Sequence, residues 1–193
     1  MPLWNLWRNL DIPFRTHDMG QTADAVASAI MAVQLETPTD PIVELAYCGE
    51  KMVLPTRDYS QFWSRADVEL KSPTVADAYE RELELLRTEA AEAVPAGVQV
   101  FRLGRVAVVG LPGMPFGEFV LTIKQTSPAH TTLVACNAND HPGYVITRAA
   151  LEHGGFESWP ARSALIGPGW GEFMADTAVD SLRRLWRKRT MNA

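Results

Sequence analysis

The sequence predicts an α/β fold: a mixed sheet containing a βαβ unit, flanked by helices and followed by a long C-terminal helix. Three observations lead there. The run at 106–111, VAVVGL, is nearly all apolar, the pattern of a strand covered on both faces. After the break PGMP comes an amphipathic stretch at 116–126, then a second apolar run, TTLVAC, at 131–136. Strand, helix and strand in that order make a unit whose two strands run parallel. Finally, Trp170, Phe173, Met174, Ala178, Leu182, Leu185 and Trp186 keep helical spacing, which predicts a helix from about 171 to 187.

The other elements follow along the chain. The N-terminal stretch 1–16 carries Leu3, Trp4, Leu6, Trp7, Leu10, Ile12 and Phe14, too many large apolar groups for a solvated tail. Its partner is the domain's own core, a second copy or another polypeptide, so 1–16 is a candidate interface. HDMGQTADAVASAIMAVQLE reads as a helix capped by Asp18 or Thr22, with Val26, Ile30 and Val33 as its apolar stripe. PIVELAYCGEKMVLP gives two strand-like runs, at 42–47 and 51–54, separated by CGE as a turn. PTVADAYERELELLRTEAAEAVPAG is a charged helix with Tyr79, Leu83 and Leu86 on its buried side and a stop at Pro95–Gly97. VQVFRLGRVAVVGLPG forms a β-hairpin turning at Gly104–Arg105. In the helix at 116–126, Pro115 stands at the start and Phe116, Phe119, Val120 and Ile123 line one side. A loop-rich stretch, 137–170, precedes the last helix.

Composition bounds the function. The 193 residues, 47% hydrophobic and 21% charged, suffice for one domain with a sizeable core, read here as 1–193. A net charge of -5 leaves no basic surplus for phosphates and argues against nucleic acid as a partner. The basic end RRLWRKR is explained by cations favouring the last turn of a helix. No apolar run reaches the roughly 20 residues of a membrane span. The start lacks the features of a signal peptide, so the expected location is cytoplasmic. Cys48 and Cys136 share no CxxC spacing and read as two free, buried thiols.

In a βαβ unit, ligands bind beyond the carboxyl ends of the strands. Two stretches fall there: the elbow Pro112-Gly113-Met114, and NANDHPGY with Asn137, Asn139, Asp140, His141 and Tyr144. Loops at such places carry function more often than packing. The sequence holds no HExxH, GxSxG, phosphate-cradling loop or dinucleotide fingerprint, and GPGWGE reads as a turn and helix cap. His17, His130, His141 and His153 are scattered, so no local metal spacing exists. Asp140–His141 offers either a general base or a pair of metal ligands, against the plainer reading that the two brace backbone groups. Tyr144 likewise reads as a packed ring or as a ligand.

FRLGRVAVVGLPGMPF followed by NANDHPGYVITRAALEHGGFE resembles the later half of the catalytic domain of the neutral/alkaline non-lysosomal ceramidase family. The likeness is greatest to its shorter bacterial relatives of unassigned substrate. Those proteins show a strand ending Pro-Gly-Glu, then Pro-Phe and a helix, and later Asn-x-x-x-Gly-Tyr-x-x-Thr and Glu-Gly-Gly-Tyr-Glu. EKMVLPTRDY is similar to the family's strand before its charged helix, and the likeness runs from about His17 onward.

The resemblance implies a zinc-dependent amidase architecture in which metal-bound water attacks an amide carbonyl. In the family the metal is held by two histidines of the earlier half, the Glu of Pro-Gly-Glu and the Tyr of the later motif. By position Tyr144 matches the tyrosine ligand, Asn139 and Thr147 match its motif neighbours, and Met114 stands where the family has glutamate. A thioether is neutral and soft, suited to copper(I) and poorly suited to zinc. Glu118, one helical turn further on, either reaches inward or, on the plainer reading, is an exposed helix position. The histidine-bearing half has no counterpart here, so this chain alone is not expected to bind zinc tightly.

Three functional readings follow. The first is a ceramidase-like amide hydrolase family member, truncated or split, with weak or no activity alone. The second is a non-catalytic binding or assembly module that pairs with a separately encoded half or with itself. The third is a strand-end pocket for a small acyl or carbohydrate-like ligand. There Met114 and Phe116 give apolar contact, and Asn137, Asn139 and Asp140 give hydrogen bonds.

Overall fold

The computed structural model describes residues 19–36, 43–59, 72–89 and 91–190. The N-terminal stretch 1–16, His17, Asp18 and Ile42 lie outside the described residues. The chain divides into two compact units, Met1–Val43 and Glu44–Ala193.

The described part of the first unit is one helix, α1 (Met19–Glu36). It forms where the sequence predicts. Two residues of its expected stripe, Val26 and Ile30, are exposed; the side chain of Val33 lies outside the described set.

The second unit is the α/β architecture the sequence predicts. Its elements run β1 (Leu45–Pro55), α2 (Pro73–Glu89), β2 (Ala93–Leu103), β3 (Val106–Gly110), β4 (Met114–Pro115), α3 (Gly117–Thr126), β5 (Thr131–Ala135), β6 (Tyr144–Val145), α4 (Arg148–His153) and α5 (Trp170–Thr190). Four strands form a mixed sheet in the order β1-β2-β3-β5. β1 and β2 pair antiparallel over eleven residues each, and β2 and β3 make the expected hairpin. Gly104 takes a φ of 57°, which allows the two-residue turn between Leu103 and Val106. β3 and β5 run parallel, as the βαβ reading requires.

Several expectations are corrected. The runs at 42–47 and 51–54 are parts of one continuous strand, because Gly49 and Glu50 sit in register with Gln99 and Val98 and leave no turn. Pro95–Gly97 is no helix stop: α2 ends at Glu89, and these residues belong to β2. Pro95 is tolerated because β3 pairs with β2 only over Gln99–Leu103, so at Pro95, among the described residues, one side of β2 has no neighbouring strand to bond. The stretch 137–170 contains a short strand and a short helix.

The sheet is not sandwiched between helices among the described residues. β1 and β2 alternate in burial, with Leu54, Ala96, Val98 and Val100 inside. Ala107 and Val109 of β3 join them, and α3 and α5 cover this face with Phe119, Ile123, Met174, Ala178, Val179, Leu182 and Leu185. Each buried Val, Leu, Ile, Phe or Met among these contributes about 1.5–3 kcal/mol relative to exposure. Tyr79 is half-buried and Phe173 is exposed, so neither belongs to this core. The opposite face keeps Leu45, Tyr47, Val53, Phe101 and Leu133 exposed. An all-apolar strand reads as covered on both sides, but alternation along β1 and β2 decides that one side is open.

A buried arginine ties the sheet to α5. Arg102 is 2% exposed, and its Nη1 donates to the Leu185 carbonyl while Nη2 donates to Glu44. Its guanidinium also lies over the Trp186 ring.

Candidate functional site

The elbow after β3 turns on Gly113, whose φ is 65°. A Cβ there would come within 2.4 Å of the Gly143 carbonyl oxygen, so only glycine fits. Gly143 itself, at φ 83°, backs onto the Ser163 carbonyl at 2.0 Å from any Cβ. Gly113 lets the elbow pack backbone to backbone on the 137–144 loop, and Gly143 lets that loop pack in the same way on Ser163 and Ala164.

Five main-chain hydrogen bonds then stitch the two segments together. The Gly113 N–H donates to Asp140 O, Met114 N–H to Gly143 O and Phe116 N–H to Val145 O. In return Asn137 N–H donates to Gly113 O and Ala138 N–H to Leu111 O. The result is a two-strand parallel ladder, β4 with β6, in which Met114 is the register partner of Tyr144 and Pro115 of Val145. Register partners project from the same face of a ladder. Both are half-buried.

The remaining residues of the loop serve it differently. Asn137 and Asn139 adopt φ of 54° and 74°, a region asparagine enters more readily than most residues. The Asn137 side-chain oxygen lies 2.8 Å from His141 Nδ1. Asn139 Nδ2 donates to the Gly97 carbonyl, carrying the loop over the open face of the sheet. Thr147 caps α4, its hydroxyl accepting from the Ala150 N–H at 3.0 Å. The plainer reading of Asp140–His141 is backbone bracing; in the structure His141 meets the Asn137 side chain, while Asn139 and Thr147 are the residues that bind backbone groups. These contacts leave Met114 and Tyr144 as the side chains brought together at the strand ends.

Around Tyr144 stands an aromatic row absent from the sequence reading. Phe156 packs edge-on at 5.8 Å, Phe156 meets Trp159 at 6.1 Å, and Trp159 meets Tyr79 of α2 at 4.8 Å. Burial raises the Tyr79 phenol above its ordinary range, and Tyr144 and Glu82 add to that rise. Arg57 anchors the row by donating from Nη1 to Ser158 O at 2.7 Å and from Nη2 to Trp159 O. Burial lowers its pKa.

Glu118 is not an exposed helix position. It is half-buried in the first turn of α3, with Oε2 enclosed and without a hydrogen-bond partner. Glu172, in the first turn of α5, accepts the Arg148 N–H on Oε1 and has an equally unpartnered Oε2. Gly171 lets that turn approach α3 and β6, since a Cβ would meet Phe119 at 2.5 Å and Val145 at 2.9 Å. Among the described residues, no group of three or more His, Cys, Asp or Glu side chains is arranged to hold a metal ion. Cys48 and Cys136 are free as expected, but half-buried and exposed rather than buried.

No family model and no curated protein matches the sequence. Solved structures of ceramidases do match. One is a ceramidase complexed with C2, at TM-score 0.41 and 21% identity, covering 50% of this chain and 15% of that one. Another is the neutral ceramidase from Pseudomonas aeruginosa, at TM-score 0.41 and 22% identity, covering 50% of this chain and 16% of that one. The matched region is thus a small part of those proteins. No helix among the described residues is long and apolar enough to cross a membrane.

Proposed function

We propose that this chain is a hydrolase-like module that does not carry out metal-dependent amide hydrolysis alone. The observation that carries this reading is the register partnership of Met114 with Tyr144. A thioether and a phenol side by side are a poor donor set for zinc. A catalytic zinc centre takes three protein ligands and a water, drawn from imidazole, thiolate and carboxylate. Methionine brings no negative charge, so it neither offsets the cation nor offers a hard donor. The strand-end residues therefore do not fit a resident zinc ion.

What this chain's own residues do is positional. The Gly113–Gly143 contact and the stitched backbone fix the two strand ends, and the aromatic row from Tyr144 to Tyr79 sets the phenol's orientation. Zinc analysis and amide-hydrolysis assays on the purified chain test the proposal. Substoichiometric zinc and no turnover are expected; one tightly held zinc per chain overturns it.

A second reading, a non-catalytic binding or assembly module, is favoured by a different observation. The face of the sheet away from α3 and α5 keeps large apolar side chains in solvent, with Leu45 72% and Tyr47 56% exposed.

A further inference from the structure

On the assembly reading, we propose that this open sheet face is the contact surface between two copies of the chain. Register places its residues in two continuous rows across all four strands. Leu45 pairs with Leu103, Leu103 with Val106 and Val106 with Thr131; Tyr47 pairs with Phe101, Phe101 with Val108 and Val108 with Leu133. Partners in a sheet share a face, so these eight side chains form one block. Leu45 is 72% exposed, Leu133 53% and Phe101 42%.

An aromatic pair anchors the block. Tyr47 and Phe101 rings lie 5.1 Å apart, and the Tyr47 hydroxyl occupies the space above Gly49, where a Cβ would stand 2.1 Å from it. An open cleft of about 490 Å3 runs along these residues. At the other end of the same face, the 137–140 loop closes over the sheet: Ala138 lies on Gly110 and Asp140 on Gly97. The uncovered rows therefore adjoin the candidate site and end at its loop.

Two features select a second copy as the occupant. The rows carry no charged side chain, so the same face meets itself across a two-fold axis without like charges opposing, which an isologous contact requires. Their exposed area is on the order of 600 Å2, at the upper end of what a monomer leaves uncovered. Two such faces together bury roughly 1,200 Å2, the lower bound of a specific protein interface. Sheet packed on sheet at about 10 Å is the corresponding geometry.

Sedimentation velocity on the full chain, from micromolar to hundreds of micromolar, tests this beside the variants Phe101→Lys and Leu133→Lys. A concentration-dependent dimer is expected, with its dissociation constant raised at least about tenfold by either variant. Both variants should keep the wild-type far-ultraviolet circular dichroism. A dimer indifferent to both overturns the proposal. A monomer throughout also overturns it, and an apolar dye then separates the two failures. Dye binding that Phe101→Lys abolishes leaves the assembly reading standing with another partner. No dye binding removes that reading too.

Discussion

Met114 and Tyr144 are held in register as Cα partners of a two-residue parallel ladder, thirty positions apart in the chain. Neither helix nor hairpin brings them there. The contact depends on the left-handed backbone of Gly113 and on five cross-segment hydrogen bonds.

The glycine contact predicts a graded effect on stability. Gly143→Ala combines a positive φ with a Cβ 2.0 Å from the Ser163 carbonyl oxygen. Gly154→Ala has a similar φ of 76° with nothing within 4 Å. Urea unfolding should show Gly154→Ala losing about 1–3 kcal/mol from backbone strain and Gly143→Ala losing clearly more. Equal losses would mean that the Gly143 approach is not tight.

Arg57 holds the carbonyls of Ser158 and Trp159, the base of the aromatic row. Arg57→Met keeps the buried stem but leaves both acceptors unpaired, and about 2–4 kcal/mol should be lost. Arg57→Lys should restore less than half of that, because an ammonium lacks the guanidinium fork. Chemical denaturation of the three proteins measures it, and a fully restored lysine variant would contradict the forked geometry.

Glu82 of α2 accepts from the Arg162 Nε, Nη2 and backbone N–H. The side-chain hydrogen bond from Arg162 holds the Glu82 carboxyl below its ordinary value of 4.5. A carboxyl whose folded pKa is depressed contributes stability above its unfolded pKa and loses it as pH falls through the folded one. Wild type should therefore lose more stability than Glu82→Gln between pH 7 and acid, with the difference arising below the unfolded value of 4.5. Parallel pH series of urea midpoints report it; identical slopes would rule the pair out as a contributor.

Much of the second unit was legible because its signals are local. Apolar periodicity locates α3 and α5, and strand–helix–strand order gives the parallel β3–β5 pair. Gly104 marks the hairpin. The convergence of the elbow with NANDHPGY was likewise readable from the carboxyl-end rule for βαβ units. What could not be read was relational. Gly49 looks like a turn residue, yet it lies mid-strand beneath the Tyr47 ring. Val106 and Val108 look doubly covered, and only the exposure of their cross-strand partners shows an open face. Phe156 and Trp159 carry no periodic signal, so the row that packs against Tyr144 appears only in space. Glu118 reads as solvated from its charge, yet its Oε2 is enclosed.

The central claim, that position 114 decides what the strand-end site can hold, is tested most directly by zinc titration calorimetry on Met114→Glu beside wild type. Restoring a hard anionic donor next to the Tyr144 phenol should tighten zinc binding at least about tenfold, and adding Tyr144→Phe should cancel the gain. Zinc binding unchanged from wild type in Met114→Glu, or a gain indifferent to Tyr144→Phe, would contradict the account.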